Sequence, residues 1–365
     1  MNDAVHIRPL TALRFFAAMW VVLFHYWPNL AGAAPLAVID KGYLGVELFF
    51  VLSGFILCHV YLESFGDGRF RYGSFLWNRL ARVYPLHLAT LAGVIALGLA
   101  ATVAGFGIDA SILDWASLPA NLALVQAWGL APQAAFNHPS WSISAEWFAY
   151  LTFPAFAWAA WRLRGRPWLG AALALGFMAV LYPAFQALTG RPLTQATIHW
   201  GALRIVPCFA LGCAMHALWR AGAVRNRRTA ALGAGLMGAG ALLAAIGGAP
   251  DLLAVAAFGG LILCLAGLAE HGSRFASGSG FVYLGEISYS IYMICVPWKL
   301  LFVNAATKLL NTADGQLPWY VWLLFIASVV PLAAASYHLI ERPARARMKL
   351  MHDSWAQRRS VAAGA

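Results

Sequence analysis

Two ionisable residues lie where an apolar sequence should exclude them. Arg14 and His25 both fall in PLTALRFFAAMWVVLFHYWP, the run from Pro9 to Pro28. An imidazole suits the abstraction of a proton from a hydroxyl, provided a carboxylate fixes its tautomer and stabilises the cation it becomes. Glu146 and Glu47 are the candidate partners. Glu146 is the better placed of the two, because Trp141, Ser142 and Ser144 give it further hydrogen-bonding company. Elsewhere, Arg79 and Arg82 are three residues apart on one helical face, and their charge and planar donors suit phosphate groups. Together these residues outline a hydroxyl-activating base at one end and an anchor for a phosphorylated acyl donor at the other.

The element that must carry Arg14 and His25 is a helix. Eleven steps of about 100° come to roughly 1,100°, some 20° beyond three turns, so both side chains leave the same face, about 16 Å apart along the axis. That spacing puts one towards each side of a hydrocarbon core about 30 Å thick. Ionisable groups at such depth usually face a protein interior or a polar path.

Composition agrees with a membrane-embedded chain. The 365 residues are 61% hydrophobic and 11% charged, with a mean hydropathy of +0.69. We expect an all-α polytopic fold with ten spans at 9–28, 42–62, 83–105, 141–162, 167–188, 198–219, 229–247, 252–270, 281–303 and 318–340. With the N-terminus in the cytoplasm, roughly nineteen Lys and Arg fall on inside segments and about four outside. The net charge of +11 is therefore read as topology and lipid-headgroup attraction, not as nucleic-acid binding. Both termini are expected inside, with a membrane domain over 1–348 and a basic tail over 349–365. Making residues 115–131 a further span would invert the basic segments beyond it, so 106–140 reads as an external segment with an amphipathic, interfacial or re-entrant helix. A signal-peptide reading of the N-terminus fails on the same helix, since cleavage would discard His25. The five cysteines form no CxxC pair and suggest neither disulfides nor a metal site.

Threading assigns depths. His25, Glu47, Trp141, Ser142, Ser144, Glu146 and Arg204 are expected near the outer face, with Arg14, Arg79, Arg82, Tyr84, Ser288, Tyr289 and Tyr292 towards the inner one. Bland readings compete with each. A buried His–Glu contact can simply pin helices, paired arginines can be topological anchors, and Trp141, Ser142 and Ser144 can be packing residues. A transporter also needs polar residues along its spans, although no inverted repeat of broken helices is visible. From the residues alone, the conclusion is a membrane protein with a polar path.

A set of motifs in order goes further. Arg14 and His25 fit an arginine-x10-histidine signature, succeeded by Gly45-Val46-Glu47-Leu48-Phe49-Phe50-Val51-Leu52-Ser53-Gly54-Phe55 and by Arg79-Leu80-Ala81-Arg82 with Tyr84-Pro85. Then come Trp141-Ser142-Ile143-Ser144-Ala145-Glu146, the Arg204, Phe209 and Gly212 element, Ile287-Ser288-Tyr289-Ser290-Ile291-Tyr292, and Glu341-Arg342-Pro343. This series resembles the acyltransferase-3 family of integral-membrane acyltransferases. The resemblance implies transfer of an acetyl or other short acyl group from acyl-CoA to a hydroxyl of a glycan or glycosylated small molecule, at a bacterial inner membrane. It implies His25 as catalytic base, Arg14 as its essential partner or a donor contact, and Glu146 as an assistant to His25. Glu47, Trp141, Ser142, Ser144 and Arg204 would meet the acceptor. Arg79, Arg82, Tyr84, Ser288, Tyr289 and Tyr292 would bind the CoA end. No permanently bound cofactor and no metal are implied. Many relatives carry histidine where this chain has Cys295, so no role of that histidine is carried over.

Overall fold

The computed structural model describes residues 7–105, 109, 111–312 and 315–363, and the side chains to 354. The end of the expected basic tail lies outside them. Among the described residues there is no β-strand, only one isolated bridge between Leu30 and Leu317. The helices run α1 (Arg8–Tyr26), α2 (Ala37–Asp40), α3 (Gly45–Gly66), α4 (Tyr72–Val103), α5 (Leu118–Leu122), α6 (Trp141–Leu151), α7 (Phe153–Leu163) and α8 (Pro167–Thr189). They continue as α9 (Gly201–Arg220), α10 (Arg227–Ile246), α11 (Asp251–Glu270), α12 (Ser279–Glu286), α13 (Ser288–Leu310), α14 (Trp319–Ser336) and α15 (Arg342–Ala363). Among the described residues nine helical stretches are long and apolar enough to cross a membrane. The chain is an all-α, multi-pass membrane protein.

Three expectations change in detail. The span expected at 141–162 is broken at Thr152 into α6 and α7, of 11 residues each. Pro154 explains the break, since its ring excludes the carbonyl of Tyr150 and it has no N–H to donate. Each half is about 16 Å long, too short to cross alone. Second, α4 begins at Tyr72 instead of 83, so Arg79 and Arg82 are inside the helix. Third, the span expected at 281–303 is divided at Ile287 into the short α12 and the longer α13, which runs on to Leu310.

The doubtful segment turns inward. Short helical turns at Trp115–Ser117, Leu118–Leu122, Gln126–Trp128 and His138–Ser140 bury Ser117, Asn121, Gln126 and Asn137. Irregular backbone survives at depth where protein covers and satisfies it. The Tyr84 hydroxyl donates to Leu122 O (2.9 Å), His87 Nε2 pairs with Asn121 O (2.8 Å), and Asn137 Nδ2 donates to Met293 O (2.9 Å). Residues 115–140 thus fold back against the helices, with their buried polar groups hydrogen-bonded inside the protein.

Helix packing depends on small residues. A Cβ on Gly54 of α3 would lie 2.1 Å from Phe209 O, and one on Gly212 of α9 would lie 2.0 Å from Val51 O. The two helices therefore touch backbone to backbone, as small residues permit in a lipid setting that gives no hydrophobic drive. Three apolar clusters result. The largest gathers α3, α4, α6, α9 and α11, a second α13 and α14, and a small third joins Leu91 and Val94 of α4 to Ala135 and Phe136. Helix α1 lies between the first two, giving Ala17 and Val21 to the first and Ala18, Val22 and Tyr26 to the second.

Candidate active site

The arginine of α1 opens into a cavity. Its volume is about 150 Å³, enclosed by α1, α3, α4, α6 and α13 and lined by Arg14, Arg79, Arg82, Ser142, Glu146 and Tyr292, among others. Helical spacing accounts for the set. Val46, Phe49, Phe50, Ser53 and Leu57 of α3 form one stripe along the wall, and Glu146 and Tyr150 are one turn apart on α6. Arg79 and Arg82 enter together because α4 is already helical there.

The carboxylate of this cavity is not with the histidine. Glu146 Oε1 accepts from Ser53 Oγ at 3.0 Å, its neighbour Tyr150 also interacts with it, and it lies close enough to Arg14 for their charges to couple. Threading by depth puts Arg14 and Glu146 on opposite sides. They meet because the 115–140 segment delivers α6 into the interior, where Trp141 to Ala145 are all buried. His25 is not among the residues that line the cavity; the ionisable groups beside it are His138 and Lys299, whose Nζ donates to the His25 carbonyl at 2.8 Å. His138 sits in the turn before α6, and burial pushes its imidazole below the ordinary value.

Glu47 is also occupied elsewhere. Both its oxygens are held by Arg204, which further donates to Ala196 O (2.8 Å) and lies 4.5 Å from the ring of Trp141. The structure gives Glu47, Trp141 and Arg204 to one another, sealed from the cavity, with Glu47 0% and Arg204 1% exposed. Of the remaining expected contacts, Ser144 Oγ accepts from Ala127 N (3.0 Å) and Tyr84 clamps the 115–140 segment, while Ser288 Oγ donates to Gly285 O (2.8 Å). None of these three lines the cavity.

Between the cavity and His138 lies a small hydroxyl layer. Ser142 Oγ donates to the Tyr292 hydroxyl at 2.8 Å, and Tyr292 donates to Pro139 O at 2.8 Å. Pro139 is next in sequence to His138, so the layer connects the cavity wall to the turn beside His25. At the cavity's other side, Tyr289 donates to Val83 O (2.6 Å) and Ser290 Oγ to Glu341 Oε2 (2.8 Å). Glu341 lies near Arg82, Arg14 and Arg345.

Sequence reasoning missed Ser53, Tyr150, Glu341 and Arg345 as members of this group. Ser53 lies within one of the motifs, and Tyr150 is four residues from Glu146, so both had a signal. Among the described residues no cluster of three or more metal-ligating side chains occurs.

Comparison with known proteins gives a concordant result. A family described as "Acyltransferase domain" matches residues 8–338. The chain is 32% identical over 324 residues to Acyltransferase MdmB of Streptomyces mycarofaciens, covering 80% of this chain and 78% of that protein. It is 24% identical over 382 residues to O-acetyltransferase OatA of Staphylococcus aureus, covering 94% of this chain and 58% of that protein. It is also 35% identical over 121 residues to Protein 2 in picA locus of Rhizobium radiobacter, a third of this chain and 61% of that protein. The chain thus spans about three-fifths of the length of the last two. No solved structure matches it.

Proposed function

Given that the chain belongs to the acyltransferase-3 family and is a multi-pass membrane acyltransferase, we propose that its donor is acyl-CoA and its acceptor a hydroxyl of a glycan or glycosylated small molecule. The observation that carries this reading is the cavity itself: three arginines from two helices converge on a space with one carboxylate in its lining. An excess of half-buried guanidinium groups suits an anionic donor.

The acceptor hydroxyl approaches from the His25 side and attacks the thioester carbonyl. A C–O bond forms as the C–S bond breaks. The hydroxyl proton passes to the His25 imidazole and then to the departing sulfur, so the products are the O-acyl acceptor and CoA thiol. Arg79 and Arg82 hold donor phosphates. Arg14, with Glu146 beside it, positions the deep end of the donor. Lys299 and His138 orient the last turn of α1 on which His25 sits. We place the enzyme in a bacterial cytoplasmic membrane with the arginines towards the cytoplasm.

Incubation of the purified chain with labelled acetyl-CoA and candidate glycans tests this. His25→Ala should abolish transfer while CoA affinity is kept, and Arg79→Gln with Arg82→Gln should weaken that affinity. Turnover near wild type in His25→Ala would remove the base assignment, and unchanged affinity in the double variant would remove the phosphate role.

A further inference from the structure

Helix α15 brings a further arginine to the donor end of the site. It runs antiparallel along α4: Glu341, just before it, lies near Arg82, whereas Met348 O accepts from Trp77 Nε1 at 2.8 Å. The Trp77 ring then stacks on His352, with centroids 6.3 Å apart. Arg345, one turn back from Met348, therefore lies across from the turn that carries Arg79 and Arg82. A π-helical turn over Tyr337–Glu341 separates α14 from α15. Such a turn inserts one residue and rotates the helix beyond it, and it recurs at functional sites. Here it accompanies a buried Glu341 and a half-buried Arg345 on the side facing α4.

The resulting group is unbalanced. Arg345 has Arg82, Arg79 and Glu341 as its charged neighbours, and Glu341 already accepts from Ser290. The Nε of Arg79 is buried with no hydrogen-bond partner. Three guanidinium groups around one carboxylate, with a donor left over, form a receptor for an anion carrying several charges. We propose that Arg345 is a third phosphate contact for the acyl donor, at the end of the arginine cluster away from the hydroxyl layer. The proposal rests on the acyl-CoA reading above and adds the C-terminal helix to the donor site.

Equilibrium binding of CoA and dephospho-CoA to the detergent-purified full chain tests it. Arg345→Gln should raise the Kd for CoA roughly tenfold, and Arg345→Lys should recover most of the loss, with kcat at saturating donor unchanged. A loss for CoA alone assigns the 3′-phosphate, and a loss for both ligands assigns the diphosphate; either supports the proposal. Unchanged Kd for both ligands overturns Arg345 and leaves the donor reading intact. Failure of the wild-type chain to bind CoA overturns the donor reading and this proposal with it. A second measurement needs no variant: CoA should shield Arg345 of the wild-type chain from phenylglyoxal, read by mass spectrometry of the peptide. Equal modification with and without CoA would also overturn it.

Discussion

Arg204 grips Glu47 edge to edge, with Nε to Oε1 at 2.5 Å and Nη2 to Oε2 at 2.9 Å. Two charges closed off from water are tolerated because each neutralises the other and a further Arg204 N–H, on Nη1, reaches Ala196 O. The pair joins α3 to α9, the same helices that meet at Gly54 and Gly212. Glu47→Ala should therefore destabilise the fold by about 3–5 kcal/mol, because it leaves the guanidinium buried alone. Thermal unfolding in detergent should show this, and Glu47→Ala with Arg204→Met should recover part of the loss. A Glu47→Ala protein of wild-type stability that fails only in acceptor binding would return Glu47 to the substrate.

Glu146 and Arg14 form a second relationship that can be measured. A double-mutant cycle on thermal stability with Glu146→Gln and Arg14→Gln should give a coupling of about 0.5–3 kcal/mol. The same cycle with His25→Ala should give additive effects, since the ionisable groups beside His25 are His138 and Lys299. Coupling to His25 as large as that to Arg14 would restore the carboxylate–imidazole pair expected from sequence.

Tyr292→Phe removes the donor to Pro139 O and the acceptor for Ser142 without changing shape much. We expect kcat to fall about tenfold, the value of one or two hydrogen bonds, with the Kd for CoA within twofold. A change confined to Kd would make Tyr292 a donor contact and not part of the layer towards His25.

At Gly212 an added methyl would meet Val51 O at 2.0 Å, whereas at Gly235 of α10 nothing lies within 4 Å. Gly212→Ala should separate α3 from α9 and cost about 1–3 kcal/mol. Gly235→Ala should be neutral or stabilise by up to about 1 kcal/mol, as alanine is the better helix former. Melting temperatures of the two variants in one detergent provide the check. Equal stability would mean that α3 and α9 adjust freely.

The helical class and most boundaries were legible because apolar length alone marks a span. Arg14, Arg79, Arg82, Ser142, Glu146, Tyr289 and Tyr292 are all legible in the sequence, and the cavity brings these seven together. What could not be read was depth. The outer placement of Glu146 assumes a span that starts at the outer surface. The start of α6 is instead delivered by turns whose polar backbone finds partners inside the protein, including Leu122 O, Asn121 O and Pro139 O. No hydropathy window contains that information. Arg345 was hidden for a different reason: in the basic stretch that follows Glu341 each arginine reads as a topology signal, and only the register of α15 on α4 singles one out. Glu47 looked available because sequence does not reveal that Arg204, 157 residues away, takes both of its oxygens.

The position of α1 between two cores governs how the enzyme is made. This helix precedes α13 and α14 by most of the chain, yet its Ala18, Val22 and Tyr26 pack against them. Tyr26 donates to Cys295 O (2.7 Å), accepts at its carbonyl from Trp322, and stacks on Phe325. At about 5–20 residues per second, the stretch from α1 to α14 takes on the order of 15–60 s to synthesise. Throughout that time Arg14 and His25 are in the membrane without the helices that bring Tyr289, Tyr292, Glu341 and Arg345. A nascent chain therefore holds Arg14 and His25 in the membrane well before the cavity that Arg14 lines can close, because its wall needs Tyr289 and Tyr292 of α13.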